Sequence, residues 1–164
     1  MVRIQKPKQV GENRMTKTYE IWFDGAFQRR RMGCGTLIKE WTLPETQYQE
    51  ATRQTIYQYY YSPDTTTLRP TNNLAEYLAL KRGLIILHRL LLTQTRHTTV
   101  DIYGDSQLVI YQLKGKYECK SDNLKRVYED CKRLLSYYGQ VDLGHIPREE
   151  NEEADGLSKR ALEY

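Results

Sequence analysis

The sequence contains little cysteine and no long apolar run. Its 164 residues include three cysteines, Cys34, Cys119 and Cys131, without a CxxC pair or other metal-ligand spacing. Such a set argues against a disulfide framework and a zinc site, and it favours reduced thiols in an intracellular protein. No apolar segment reaches the length of a membrane span, and the first 15 residues lack the apolar core of a signal peptide. We therefore expect a soluble, cytoplasmic protein with no membrane partner.

The sequence also lacks a large excess of charge of either sign. Lys and Arg total 25 against 21 Asp and Glu, which gives a net charge of +4. A balance this small does not by itself establish nucleic-acid binding. The length fits one domain with a substantial core. We predict a mobile basic arm over residues 1–15 and a single domain over residues 16–164.

Hydrophobic periodicity predicts the element order β β β α β α α β α. Tyr19, Ile21 and Phe23 fall on one face of an alternating pattern, which indicates a first strand ending at Asp24–Gly25. The segments GCGTLIKEW and TIYQYYYS continue it as an antiparallel meander. Tyrosine favours pleated, half-buried positions, so we interpret TIYQYYYS as a strand and give base stacking second place. The pattern predicts an α/β fold with a five-stranded mixed sheet, in which the last two strands enter through helical crossovers and helices cover both faces.

Four acidic residues lie at the ends of predicted strands or near the starts of predicted helices: Asp24, Glu76, Asp105 and Asp155. The ends of elements are where α/β proteins collect catalytic groups. Strand–helix–strand crossovers make parallel neighbours, so the strand ends that carry Asp24 and Asp105 can lie side by side. Helices can bring Glu76 and Asp155 to the same edge. We expect the four carboxylates to converge.

Converging carboxylates repel one another unless cations join them. Oxygen ligands without His or Cys nearby favour Mg²⁺ or Mn²⁺ over zinc. Two such ions about 3.5–4 Å apart activate a water and stabilise the leaving oxygen in phosphodiester cleavage. The plainer interpretation of any single acid is a solvated or helix-capping side chain. Four acids in these settings, on a basic chain, indicate metal and a phosphate substrate.

The motifs that carry these acids resemble those of type 1 ribonuclease H. They are DGA at 24–26, TNNLAEY at 71–77, GDSQLV at 104–109 and HIPREENEEADGLS at 145–158, in that family's order and spacing. The resemblance covers roughly residues 17–164 and implies a ribonuclease H-like catalytic domain in the compact form without a basic helical protrusion. It also implies a monomeric endoribonuclease that hydrolyses the RNA strand of RNA/DNA hybrids. Two Mg²⁺ ions would assist, Mn²⁺ could substitute, and the products would carry 3′-hydroxyl and 5′-phosphate ends.

The resemblance also assigns individual residues. Asp24, Glu76, Asp105 and Asp155 match the family's metal-binding carboxylates. Short amides suit a hybrid's wide, shallow minor groove, which displays 2′-hydroxyls. The implied substrate contacts are Asn72, Asn73 and Gln107 in that groove, Arg69 and Thr71 at a DNA phosphate, and Asn151 near the second metal and the scissile phosphate.

Two features depart from the family pattern. The family's glycine- and proline-rich turn after DGA is replaced by FQRRRMGCG, whose residues Arg29–Arg31 either contact phosphate or form a solvated hairpin. Many members also carry a histidine on a flexible loop. An ungapped match backwards from Asn151 reaches His145, but His145 precedes Ile146–Pro147 and is expected on a strand, so we favour Arg148 as the residue nearest the missing histidine.

Two alternatives stay open. The chain could be a hybrid-binding module with weak or no catalysis, although all four carboxylates are present. It could also be a ribonuclease H domain derived from a reverse transcriptase or transposon polyprotein.

Overall fold

The computed structural model describes residues 16–66 and 69–163, so the predicted arm over residues 1–15 lies outside it. Five strands are present: β1 (Thr16–Gln28), β2 (Arg31–Leu43), β3 (Thr52–Tyr61), β4 (Thr99–Gly104) and β5 (Gln140–His145). The α-helices are α1 (Asn72–Leu91), α2 (Gln107–Leu113), α3 (Asp122–Leu135) and α4 (Glu152–Arg160). Short 3₁₀ helices at Leu92–His97 and Arg148–Glu150 were not predicted. None of the described helices is both long and apolar enough to cross a membrane.

The five strands form one mixed sheet in the order β3-β2-β1-β4-β5. β1 pairs antiparallel with β2, and β2 pairs antiparallel with β3. β4 lies parallel to both β1 and β5, as the helical crossovers require. The predicted sheet is confirmed.

The prediction that β1 ends at Asp24–Gly25 is wrong, because the strand continues to Gln28. β2 stays paired with β1 as far as Gln28 and Arg31, so the hairpin satisfies the backbone groups beyond Asp24. The parallel pairing with β4 does end at Phe23 and Gly104. Asp24 therefore lies where β1 loses its β4 neighbour, beside Asp105, the residue that follows β4.

A two-residue turn, Arg29–Arg30, joins β1 to β2. Both arginines adopt positive φ values, 52° and 61°. A two-residue hairpin with positive φ at both positions favours Asn-Gly, because a Cβ crowds the backbone in this region. Each arginine therefore costs about 1–2 kcal/mol relative to glycine.

Side-chain alternation along β1 divides the core between the two faces of the sheet. Tyr19, Ile21 and Phe23 are buried against α1 and α3. Trp22 points the other way and is buried with Ile146 and with Ala154 of α4. Helices thus cover both faces, as predicted.

The predicted helix patterns are also confirmed. The Thr71 hydroxyl caps α1 by accepting a hydrogen bond from the Leu74 amide at 3.1 Å. The connection between α2 and α3, residues 114–121, is fully described and contains no helix, so the chain has no helical protrusion there. The apolar stripe of α3 faces the core, where its buried members are Leu124, Val127, Cys131 and Leu134.

At Gly25, β1 and α1 approach each other so closely that no side chain would fit between them. A Cβ at this position would lie 2.2 Å from the backbone nitrogen of Glu76. Real Cβ atoms do not approach backbone so closely, so only glycine lets Asp24 and Glu76 come together.

We predict that Gly25→Ala lowers the free energy of unfolding by about 1–3 kcal/mol, because α1 must move away from β1. Gly156→Ala is the matched control: it lies in α4 with no atom within 4 Å of the added Cβ. The control should raise stability by about 0.5–1 kcal/mol. Urea denaturation measures both variants, and wild-type stability for Gly25→Ala would contradict this account of the contact.

Candidate active site

Three of the four predicted acids meet at one edge of the sheet. Asp24, Glu76 and Asp105 each place a carboxylate oxygen within 4.8 Å of the others. β1 supplies Asp24, the end of β4 supplies Asp105, and the fifth residue of α1 supplies Glu76. Each side chain is fixed by a different element, so the cluster depends on the whole sheet–helix junction.

The trio is a low-dielectric, like-charged site. Burial, and then the neighbouring Asp105 carboxylate, raise the pKa of Asp24 to about 8, although a hydrogen bond from Ser158 opposes the shift. Burial likewise raises the pKa of Glu76 to about 7, against hydrogen bonds from Ser106 and Asn72. Oε2 of Glu76 is buried and has no hydrogen-bond partner among the described residues. Nearby positive charge therefore does not offset the burial and mutual repulsion of these carboxylates.

Asp155 lies in the same cavity but in a different electrostatic setting. Burial alone would raise its pKa, yet Lys159, then a hydrogen bond with Asp24, and last Arg148 hold that pKa below its usual value. Lys159 Nζ lies 2.8 Å from Asp155 Oδ2, and Arg148 Nη2 lies 3.8 Å from Oδ1. Asp155 is thus kept ionised at the rim of the trio.

A cavity of about 450 Å³ contains all four acids. Its other polar walls are Asn72, Arg148 and Lys159. The continuation of β1 beyond Asp24, residues 25–28, forms a further wall.

The residues present fit divalent metal. The donors are carboxylate oxygens, and His and Cys do not line the cavity among the described residues. This donor set suits Mg²⁺ or Mn²⁺. A bound cation would give the unpartnered Glu76 oxygen a partner. It would also lower the raised pKa values of Asp24 and Glu76.

The predicted minor-groove amides occupy three settings. The Asn72 amide donates a 2.8 Å hydrogen bond to Glu76 Oε1 and lines the acid cavity. Gln107 is exposed at the start of α2, where its amide donates to the Tyr117 hydroxyl at 3.0 Å. Asn73 faces a neighbouring cavity of about 410 Å³.

That second cavity also contains Arg69 and Thr71, the predicted phosphate contacts. It holds two residues that sequence reasoning missed, Lys120 and Asn123. The Asn123 amide donates to the Arg69 carbonyl oxygen at 3.0 Å, which joins the start of α3 to the segment before α1. The fold thus gathers donors from two distant segments around one space, in which Lys120 also lies 3.8 Å from the carboxylate of Glu118.

The two candidates for the missing histidine are separated by the fold. His145 ends β5, as expected, and its Nε2 lies 3.2 Å from the backbone oxygen of Asp105. Its ring does not line the acid cavity. Arg148 does line it, with a side chain that is 76% exposed. The structure therefore brings Arg148, and not the His145 ring, to the acids.

Asn151 lies inside the protein and not on the wall of the acid cavity. It is 1% exposed, and its amide donates to the Phe23 carbonyl oxygen at 2.9 Å. This bond fixes the start of α4 against β1 one residue before Asp24. Its predicted contact near the scissile phosphate stays a prediction, whereas its positioning contact is observed.

Ser158 is a second positioning residue; it ends the motif at 145–158, but no role was predicted for it. Its buried hydroxyl donates to Asp24 Oδ2 at 2.9 Å. Ser158 and Asn151 together hold α4, and therefore Asp155, against the strand that carries Asp24.

Solved structures share this architecture. RNase H1 from the halophilic archaeon Halobacterium salinarum NRC-1 is 26% identical, with a TM-score of 0.67 over 88% of this chain and 97% of that chain. LC11-RNase H1, solved in complex with an RNA/DNA hybrid, is 26% identical, with a TM-score of 0.71 over 88% of this chain and 96% of that one. The fold is that of type 1 ribonuclease H.

Sequence comparison places the chain in a family. Residues 55–161, well over half of the chain, match the family described as reverse transcriptase-like, and the chain belongs to it. Ribonuclease HI of Halobacterium salinarum is 35% identical over 95 residues, which are 58% of this chain and 45% of that protein. The Bifunctional protein Rv2228c of Mycobacterium tuberculosis is 32% identical over 95 residues, or 25% of its length. The chain thus spans less than half the length of these curated relatives.

We predict that divalent cation binding to the acid cavity releases protons. Asp24 and Glu76, with pKa values of about 8 and 7, keep protons near neutrality that a cation must displace. The affinity for Mg²⁺ should therefore rise as pH rises through 7 to 8, as both carboxyls ionise. Titration calorimetry in two buffers of different ionisation enthalpy measures the affinity and the proton count.

Asp101→Asn is the matched control for this titration. Burial and then Asp142 raise the pKa of Asp101 to about 6, but Asp101 lies outside the acid cavity. Its loss should leave Mg²⁺ affinity unchanged. A Mg²⁺ affinity that is independent of pH, or equally weakened by this control, would contradict the assignment.

Proposed function

We propose that this protein is an endoribonuclease that hydrolyses the RNA strand of RNA/DNA hybrids and leaves 3′-hydroxyl and 5′-phosphate ends. The observation that carries the proposal is the trio of the buried Asp24 and Glu76 with the half-buried Asp105, whose carboxylate oxygens lie within 4.8 Å of one another, with Asp155 in the same cavity. The similarity to Ribonuclease HI and to a ribonuclease H solved with a hybrid supports the substrate.

The trio and Asp155 would hold two divalent cations, Mg²⁺ by preference, with Mn²⁺ able to substitute. Bound there, such ions supply a nucleophile from water and stabilise the leaving oxygen of an in-line displacement. The protein's own contribution is to fix the carboxylates. Asn72 orients Glu76, and Ser158 orients Asp24. Lys159 and Arg148 keep Asp155 ionised and able to bind a cation.

Arg148 has a chemical limit that narrows its role. An arginine side chain stays protonated in proteins, so Arg148 cannot shuttle a proton as a histidine can. It can donate hydrogen bonds to a phosphate oxygen, and its exposed position beside Asp155 suits that contact. We therefore assign Arg148 to a non-bridging oxygen of the scissile phosphate.

Choice of the RNA strand would come from 2′-hydroxyl contacts without base reading. Asn72, Asn73 and Gln107 carry amides along the edge that includes the acid cavity and the second cavity. The second cavity, lined by Arg69, Thr71 and Asn123, would take a DNA phosphate. Binding on both sides of the duplex would then set the cleaved strand.

We further propose that the protein is a monomer, that it acts in the cytoplasm, and that residues 1–15 serve as a basic arm. The free thiols of Cys34, Cys119 and Cys131 suit a reducing compartment.

We predict metal-dependent cleavage of the RNA strand in a labelled RNA/DNA hybrid, and no cleavage of duplex DNA or duplex RNA. The assay compares Mg²⁺, Mn²⁺ and EDTA. Asp105→Asn should abolish turnover and keep hybrid binding, while Asp101→Asn, the same change outside the cavity, should keep both. Cutting of duplex DNA would overturn the proposal. Hybrid binding without cutting in either metal would favour the binding-module alternative.

Arg148→Ala should lower kcat about tenfold or more, because a charged donor to the phosphate is lost. His145→Ala should change kcat little and lower the melting temperature, because its ring contacts the Asp105 backbone and Tyr111. Arg148→Lys, which keeps the charge, should recover part of kcat. The reverse pattern would make His145 the fifth participant.

A further inference from the structure

The tip of the β1–β2 hairpin is a strained turn that carries two positive charges outside the acid cavity. Arg29 and Arg30 occupy both central positions of the turn with φ values of 52° and 61°. Asn-Gly is the preferred pair there. Strained backbone positions cluster at functional sites, and the two arginine side chains are what this turn presents to solvent.

The hairpin tip projects from the acid cavity. Residues 25–28 of β1 form one wall of that cavity, and Arg29 follows directly. A strand rises about 3.4 Å per residue, so Arg29 lies roughly 17 Å along the strand direction from Asp24. A duplex with its axis along β1 and a rise of about 3.4 Å per base pair would place the tip about five base pairs from the acids.

Arg29 and Arg30 lie beside the cavity as cations without an ion-pair partner among the described residues. Both are exposed, and neither side chain makes a hydrogen bond, ion pair or ring contact with any residue that the structure describes. By contrast, Arg148 and Lys159 inside the cavity are already paired with Asp155. Arg31 belongs to β2, and its guanidinium donates to the Leu162 carbonyl oxygen at 3.4 Å.

We propose that Arg29 and Arg30 bind the phosphate backbone of the hybrid about five base pairs from the cleavage point, and so extend the substrate footprint beyond the acid cavity. This inference rests on the proposed function. It assigns the arginines to phosphate binding through charge, with no base contact and no role in the chemical step.

Three double variants separate charge from backbone strain. Arg29→Gln with Arg30→Gln removes the charge and keeps the strained turn. Arg29→Lys with Arg30→Lys keeps both the positive charge and the strained turn. Arg29→Asn with Arg30→Gly removes the charge and supplies the preferred turn pair. The matched control is Arg96→Gln, an exposed arginine beyond the far end of α1.

The expected pattern has two independent readouts. The Gln pair and the Asn-Gly pair should each raise the Kd for hybrid and the KM about tenfold, and should leave kcat unchanged. Each should also lower the slope of log Kd against log salt concentration by about two. Only the Asn-Gly pair should also raise the melting temperature, by a few °C. The Lys pair and Arg96→Gln should match wild type in Kd.

Hybrid length supplies a second test. Shortening the duplex to about three base pairs on one side of the cut should abolish the difference between wild type and the Gln pair, because the contacted phosphate is gone. The inference is overturned if the Gln pair binds a long hybrid as tightly as wild type does. Kd is measured in EDTA, so this result is independent of cleavage. A wild-type protein that binds hybrid but does not cut it would instead overturn the proposed function alone.

Discussion

Mutual repulsion among Asp24, Glu76 and Asp105 is the constraint on which the site depends. Three carboxylates within 4.8 Å, largely removed from water, are unstable as three anions, and the raised pKa values of Asp24 and Glu76 express that cost. The scaffold imposes the arrangement. Gly25 lets α1 reach the backbone of β1, and the end of the parallel β1–β4 ladder places Asp105 beside Asp24. The site is thus built to receive positive charge that the protein does not supply.

α4 extends the same principle from the opposite face of the sheet. Asn151 and Ser158 fasten this helix to β1 on either side of Asp155, so the fourth carboxylate is fixed although it lies outside the trio. Its partners differ as well, because the Asp155 carboxylate forms ion pairs with Lys159 and Arg148. The trio has no salt-bridge partner among the described residues, whereas Asp155 has two.

Much of this was accessible from the sequence, because the relevant signals are local. Alternation located the strands, the periodic stripe of α3 located its buried face, and the four motifs located the acids. The extension of β1 to Gln28 was missed, because its residues GAFQ do not alternate and only pairing with β2 makes them a strand. Ser158 was missed for a related reason: its bond to Asp24 joins residues 134 positions apart, and no local pattern records it. The 3₁₀ helix at Leu92–His97 was hidden by a leucine run that continues the helical pattern of α1.

The most direct test of the central claim is anomalous diffraction from crystals of the wild-type protein grown with Mn²⁺ and an RNA/DNA hybrid whose scissile phosphate resists hydrolysis. We predict two Mn²⁺ peaks about 3.5–4 Å apart, held by Asp24, Glu76, Asp105 and Asp155 beside a phosphate of the RNA strand. Hybrid bound with no Mn²⁺ among these carboxylates, and with Asp155 still paired to Lys159, would contradict it.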